Sequence, residues 1–176
     1  MPSDTKTLAW RVLISEEMRE VADEDRRQAV ARVYAEAGPR LYRYALMILA
    51  DRADAEDAIQ QVFAAAMRQT TAIDDEAAYF RTAVRNAAYS LLRRRRSARA
   101  ADVPILEPVA PGCSPAEQAL LEQALRALPP DQREVVHLHV YEGMTFREIA
   151  EATGEPINTV AARYRYALDK LRKLLQ

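Results

Sequence analysis

The sequence predicts an all-α protein made of two small helical domains joined by a Pro/Ala-rich linker. Three observations predict it. Apolar residues recur at steps of three and four almost throughout, and no stretch alternates apolar with polar residues as a half-buried strand would. Glycine occurs 4 times in 176 residues, and no pair of apolar runs is joined by a hairpin turn. The helical pattern is interrupted once at length, where Pro104, Pro108, Pro111 and Gly112 rule out a continuous helix. The expected boundaries are an N-terminal extension over 1–26, a first domain over 27–97, a linker over 98–114 and a second domain over 115–176.

Within the extension, Leu8, Trp10, Val12, Leu13 and Ile14 can pack on something, and the acid-rich stretch 16–25 is expected to be helical and exposed. From Arg27 the pattern firms. Val30, Val33, Tyr34 and Ala37 lead into Gly38-Pro39, followed by Leu41, Tyr42, Ala45, Ile48 and Leu49. Pro39 is expected to kink that helix or split it in two. A turn at Asp51-Arg52-Ala53 comes next. Asp54 is expected to cap a second helix, with Asp57 at the third helical position and Glu56 favouring the positive helix end. That helix carries Ala58, Ile59, Val62, Phe63 and Ala66 to about Gln69. A polar loop over 70–75 precedes a helix from Glu76 through Phe80, Val84 and Leu91 to Arg93–Arg96. Beyond the linker, Ser114 and Pro115 open a helix that Pro129-Pro130 ends. Another helix spans Asp131 to Tyr141 and stops at Gly143.

The stretch 145–175 has the most pronounced local organisation. Thr145 with Glu148 three residues on has capping-box spacing. Gly154 supplies a corner, and Pro156 suits a helix start. Ile157, Val160, Tyr164, Leu168, Leu171 and Leu175 then fall on one apolar stripe. Thr159, Ala162, Arg163, Tyr166, Lys170 and Lys173 fall opposite, with Asn158 and Arg165 on the flank. A short helix, a glycine turn and a longer basic helix form a helix-turn-helix. Spacing alone supports two readings equally: a DNA-binding unit, and an ordinary helical hairpin whose cations form a solvated face.

Formal net charge is −1, so any nucleic-acid surface must be local. The single cysteine, Cys113, excludes an internal disulfide and cannot hold zinc by itself, which fits a reducing cytoplasm. The N-terminus lacks the long apolar core of a signal peptide, and no run is long enough to span a membrane. His137 and His139 lie two apart on a helix and point in different directions, so no metal site is expected. No phosphate loop, dinucleotide fingerprint or nucleophile elbow is present, and neither an enzyme nor a cofactor is expected. The run Arg93–Arg96, with Tyr79 and Phe80 upstream, suits single-stranded nucleic acid, in which bases stack and cations hold phosphates. It equally suits a helix whose terminal arginines complement its dipole and whose aromatics are core.

From about Arg27 to Leu175 the order of short motifs resembles the extracytoplasmic-function sigma factors, the smallest type in the bacterial primary sigma family. In the first domain the matching words are Gly38-Pro39-Arg40-Leu41-Tyr42-Arg43-Tyr44-Ala45, then Asp51-Arg52-Ala53-Asp54-Ala55-Glu56-Asp57, Gln60, Phe63, Arg85-Asn86 and Arg93–Arg96. In the second they are Leu128-Pro129-Pro130, Gln132-Arg133-Glu134-Val135, Glu142-Gly143, Glu148-Ile149-Ala150-Glu151, Gly154, Thr159-Val160, Arg163, Ala167-Leu168 and Leu171-Arg172. The chain departs from the family at Tyr79, where Trp is usual, at Ser90, where Asp is common, and at Ala161-Ala162, where a Lys-Ser pair is usual.

The resemblance implies a sigma region 2-like bundle and a sigma region 4-like helix-turn-helix. It implies that Asp54, Glu56, Asp57, Gln60 and Phe63 dock the β′ clamp helices of RNA polymerase core, with the second domain on the β flap. It implies that Ile73, Asp74, Asp75, Tyr79, Arg81, Arg85, Asn86, Arg93, Arg94, Arg95 and Arg96 hold the melted minus-10 strand. Asn158, Thr159, Ala162, Arg163, Arg165, Tyr166, Lys170 and Lys173 would read the minus-35 duplex. An anti-sigma factor is a further partner that the family admits, and the implied setting is the bacterial cytoplasm, without membrane insertion. The runner-up is a two-domain helix-turn-helix regulator that is not a polymerase subunit. A helical interaction module that has lost DNA binding comes third, motivated by Ala161-Ala162.

Overall fold

The computed structural model describes residues 4–69, 73–94 and 114–175, with side chains from residue 23 onward. Among these residues the chain forms seven α-helices and no strand. The first three are α1 (Asp4–Leu49), α2 (Arg52–Arg68) and α3 (Glu76–Arg94). Then come α4 (Pro115–Arg126), α5 (Pro130–Val136), α6 (Phe146–Thr153) and α7 (Ile157–Leu174). Between α5 and α6 the helix widens over His137–Tyr141 into a π-helical turn, closed by Glu142 N–H donating to His137 O at 3.2 Å.

Two expectations about the first half need correction. Pro39 does not divide α1, which runs unbroken through it. The residue before a proline is normally pushed out of the helical region by its own Cβ, and Gly38 has none. The place a Cβ would occupy on Gly38 is instead 3.6 Å from the Tyr34 ring. The cap of α2 is Asp51, not Asp54. The Asp51 side chain accepts the Asp54 N–H at 3.1 Å, which puts Asp54 itself at the third helical position and Asp57 a turn further on. The corner before it is made by Ala50 at φ 54, a left-handed conformation unusual for alanine.

α1, α2 and α3 pack as a three-helix bundle. Ile48, Val84 and Phe80 are its most buried large side chains, and Phe63 stacks on Phe80 with ring centroids 4.7 Å apart. In the second half α7 packs across α5 and α6 through Val135, Ile149, Val160 and Ala167, each essentially without exposure. Ser114 and Glu117 form a capping box that starts α4 at Pro115. The Glu117 carboxyl is held below its ordinary range by the backbone and side-chain hydrogen bonds of Ser114.

The two halves do not sit apart. α1 lies against α5 and α3 against α6, so the buried residues of both halves form one continuous core. Residues 95–113, and with them all of the expected linker over 98–114 except Ser114, lie outside the described residues.

The corrected cap can be checked. Replacing Asp51 by Ala is expected to cost about 0.5–2 kcal/mol, the usual loss of an N-cap. Asp54→Ala should cost less. Urea unfolding of the two variants ranks them, and the reverse order would return the cap to Asp54.

Candidate nucleic-acid interface

The helix-turn-helix is held by local chemistry before any tertiary contact. Thr145 Oγ1 accepts the Glu148 N–H at 3.3 Å, and the Glu148 carboxylate accepts the Thr145 N–H at 2.7 Å. Those bonds keep the Glu148 carboxyl charged to lower pH than usual. Gly154 closes α6 at φ +70. A side chain at that φ would be strained whatever space surrounds it. Behind the motif, Phe146, His139 and Tyr164 pack on one another with centroids 4.8–5.3 Å apart. His139 Nδ1 lies 2.7 Å from Met144 O.

The faces of α7 differ in part from expectation. Val160, Ala167 and Leu171 are buried, whereas Ile157 and Leu175 at the ends of the expected stripe are exposed. On the outer side Asn158, Arg165, Tyr166 and Lys173 are exposed, and the Arg165 guanidinium carbon lies 5.3 Å from the Tyr166 ring centroid. Thr159 and Ala162 are half-buried. Arg163 is not on the solvent face. It pairs with Asp131 at 3.0 Å and Glu155 at 3.2 Å, so two carboxylates hold it back against its own half. Lys170 turns aside to the carbonyl of Ala127 at the end of α4, where a cation meets unsatisfied helix carbonyls.

α3 presents the second basic surface. Asp75 caps it, accepting the Ala78 N–H at 2.9 Å. Asp74 and Asp75 are exposed, while Ile73 tucks against the core. Tyr79 is half-buried, meets Phe80 edge-on and donates its hydroxyl to Gln69 Oε1 at 2.6 Å. Gln69 and Tyr79 stand on either side of the segment 70–75, of which residues 70–72 lie outside the described residues. Asn86, Arg93 and Arg94 are exposed and Arg81 is half-buried. Arg95 and Arg96 lie outside the described residues.

On α2, Glu56, Asp57 and Gln60 are exposed on one side and Asp54 is half-buried. Phe63 belongs to the core rather than to a docking surface. It is 8% exposed, wedged between Phe80 and the edge of Tyr34. Tyr34 is 57% exposed and meets Phe63 edge-on.

Arg85 departs furthest from the expected role. Its guanidinium donates to Glu134 from Nε at 2.8 Å, and the same carboxylate accepts the hydroxyls of Tyr44 at 2.5 Å and Tyr89 at 2.7 Å. Glu134 is 1% exposed. Burial and the adjacent carboxylate push both tyrosine hydroxyls well above their ordinary range, so both stay protonated as donors. Beside it Arg133, equally buried, donates to the carbonyls of Met47 and Ile48 at the end of α1 and of Leu125 and Arg126 at the end of α4. Burial first, and Arg126 second, lower its guanidinium pKa to about 10. Sequence reasoning used Arg133-Glu134 only as a family word. The missed signal is position: Glu134 stands four residues before Leu138 on the apolar side of its helix, where a lone carboxylate needs partners.

Two helical surfaces carry exposed cations, one on the helix-turn-helix of the second half and one on α3 of the first. Residues 33–98 match the family described as Sigma-70 region 2, and residues 118–171 match Sigma-70, region 4. The chain is 31% identical over 157 residues to the ECF RNA polymerase sigma factor SigL of Mycobacterium tuberculosis, covering 82% of this chain and 87% of that protein. It is 28% identical over 165 residues to the ECF RNA polymerase sigma factor RpoE of Cereibacter sphaeroides, covering 89% and 91%. Among solved structures it is similar to CnrH in complex with the cytosolic domain of CnrY, with a TM-score of 0.62 and 26% identity over 89% of this chain and 93% of that one.

The chain belongs to the ECF RNA polymerase sigma factors of the sigma-70 family. Sigma factors are generally non-enzymatic DNA-recognition subunits, and the reading as a regulator unrelated to polymerase is set aside.

His137 at the junction of the halves yields a pH prediction. Its ring stacks between Tyr44 and Tyr141, 5.7 and 5.5 Å away. Burial lowers its pKa from 6.5 to about 4; Glu142 opposes the shift, and Arg43 and Arg40 add to it. Between pH 6.5 and 4 the unfolded chain therefore binds a proton that the folded chain refuses. Stability present above pH 6.5 should fall through that window by up to about 3 kcal/mol from this ring alone. His137→Phe, which keeps the stack, should lose less stability than the parent between pH 7 and pH 4. Urea titrations at several pH values measure the difference, and parallel curves would exclude the ring as the cause.

Proposed function

We propose that this chain directs transcription initiation as a sigma subunit in the bacterial cytoplasm, with a division of labour among its helices. The exposed side of α2 at Glu56, Asp57 and Gln60 docks the β′ clamp helices of core polymerase, and the second domain meets the β flap. The outer side of α7 reads the minus-35 duplex from the major groove, where base edges carry a distinct donor and acceptor pattern. Asn158, Arg165 and Tyr166 are its free polar and aromatic contacts, with Lys173 on phosphate. α3 and the loop before it capture the melted minus-10 strand. The chain itself makes or breaks no bond; core polymerase makes the RNA. A protein that holds the chain in reserve, an anti-sigma factor, is a second partner class. CnrH, held by the cytosolic domain of CnrY, lends this support.

The observation that carries the reading is the Tyr79–Gln69 hydrogen bond under an acid-capped loop, beside the exposed Asn86 and Arg93. A cationic helix alone would serve duplex affinity. The exposed Asp74 and Asp75, Tyr79 and Asn86 together offer a polar and aromatic surface beside which an unstacked base can rest. Opening a promoter costs unpairing and unstacking, a few kcal/mol for an extruded base. Contacts made to the exposed strand alone must offset that cost.

The deciding experiment is run-off transcription with purified core. Asp57→Ala with Gln60→Ala is expected to weaken pull-down of core while helicity is unchanged; undiminished pull-down would move the docking surface elsewhere. Alanine at Asp74 and Asp75, or at Asn86, is expected to leave closed complexes nearly intact and to reduce open complexes. A pre-melted bubble template should restore much of the loss, whereas neutralising Arg93 and Arg94 should weaken binding on both templates in a salt-dependent way. Permanganate footprinting separates the two outcomes. Normal opening of duplex promoters by the loop variants would reduce the loop to a connector.

A further inference from the structure

Between α1, α3 and the π-helical turn lies a cavity of about 100 Å³. Its walls are apolar: Val33, Ala37 and Leu41 from α1, Phe80 from α3 and Leu138 from the turn. Arg40, Glu76, Arg81 and Glu142 ring its mouth. An apolar chamber with a few convergent polar groups is the usual form of a small-molecule site.

The charges at the mouth do not balance among themselves. Glu142 is taken by Arg40. Glu76 accepts from Arg32 at 3.0 Å. Arg81, half-buried, has no hydrogen bond or ion pair among the described residues. Glu148 senses its charge, but that carboxylate is spent on the Thr145 N–H and hydroxyl. One guanidinium is therefore left over at the entrance. The two paired carboxylates beside it would repel a dianion such as a phosphate and favour a single negative charge. A carboxylate meets a guanidinium with two parallel hydrogen bonds.

The size of the chamber limits what the anion can carry. A cavity of about 150 Å³ lined by similar side chains admits benzene. The smaller chamber admits a tail of about three or four carbons.

We propose that this cavity binds a short-chain monocarboxylic acid, with the carboxylate on Arg81 and the tail among Val33, Leu41, Phe80 and Leu138. Arg81, counted by the resemblance among the strand-binding cations, is thereby assigned a different ligand. The site involves none of the exposed side chains of α7. It gives the chain a small-molecule ligand in addition to its macromolecular partners.

The test titrates the full, isotope-labelled chain with straight-chain acids from acetate to hexanoate at fixed ionic strength, and follows amide chemical shifts by NMR. Shifts are expected at Val33, Ala37, Ala77 and Leu138, all of which line the cavity. Affinity should rise about fourfold with each added methylene, the ratio that about 0.8 kcal/mol per buried methylene implies. The gain should level off beyond valerate, when the chamber is full. Arg81→Gln should weaken every acid about tenfold or more while the gain per methylene persists. Ala37→Leu, which fills the chamber, should leave the weak affinity of acetate and abolish the gain. Circular dichroism checks the helicity of both variants; should Ala37→Leu unfold, Ala77→Leu at the exposed edge of the same cavity takes its place.

Equal affinity along the series, or the same shifts from butylamine, would reduce the effect to pairing at surface charges and overturn the site. Shifts centred on the arginines at the end of α3 would do the same. No shift from any acid would show a cavity filled by water alone and would overturn the proposal as well.

Discussion

A single buried carboxylate organises the relation between the two halves. Glu134 enters the protein at 1% exposure, and an isolated charge there would be untenable. Its four lone-pair directions are answered from two helices of the other half, by Tyr44, Arg85 and Tyr89. Those partners fix the rotation of α5 about its own axis. That rotation in turn sets where Asp131 stands, three residues earlier on the same side, and hence where Arg163 is held. One ion-paired cluster thereby ties α5 to α1 and α3. Breaking it from one side by removing Glu134 would strand a half-buried guanidinium, whereas replacing the set by apolar groups of equal shape would cost far less.

The recognition unit is assembled from the opposite kind of force. The α6–α7 corner owes its shape to a capping box, one left-handed glycine and a row of small and branched side chains at Ile149, Val160 and Ala167. These are short-range and self-contained, so the unit's shape does not depend on the other half. The outer side of α7 is lightly charged for a DNA-reading helix. Ala161 and Ala162 are half-buried and bring neither a cation nor a hydroxyl, and Lys170 is committed to the end of α4. Discrimination on this side falls to Asn158, Arg165 and Tyr166, with an arginine lying over an aromatic ring. That arrangement favours planar stacking and bidentate contact over a field of point charges.

Much of this was legible in the sequence because its causes are local. Thr145 with Glu148, Ser114 with Pro115, and Gly154 each announce a helix boundary through the chemistry of one turn, and each is found at that boundary. The period of Val30, Val33, Leu41, Ile48, Ala58, Ile59 and Val62 gave the inner side of the first bundle for the same reason. What failed was contextual. Asp51 and Asp54 are both able to cap, and the choice follows from where α1 stops. Pro39 does not split its helix, and Gly38 before it has no Cβ to clash. Phe63 lies on the apolar side of its helix, as its spacing has it, and not on the docking surface that the resemblance implies. Nothing in the spacing foretold that the halves would close on each other. Arg85, Glu134, Tyr44 and Tyr89 are up to 90 residues apart, and their meeting is decided by tertiary packing. Among the candidate site residues, exposure on the outer side was foreseen for Asn158, Arg165, Tyr166 and Lys173, whereas Arg85 and Arg163 are held by partners elsewhere in the chain.

Arg133 has a consequence for how the molecule melts. Its one guanidinium serves as a cap shared by the last carbonyls of α1 and the last carbonyls of α4. Helix ends normally find separate satisfaction, so each helix can fray on its own account. Here the end of the first bundle cannot loosen without stripping acceptors from a charge that also secures the second. The bundles are thermally coupled through that group. A calorimetric scan would register one cooperative unit spanning both bundles rather than two small ones. Prying the bundles apart would convert one transition into two.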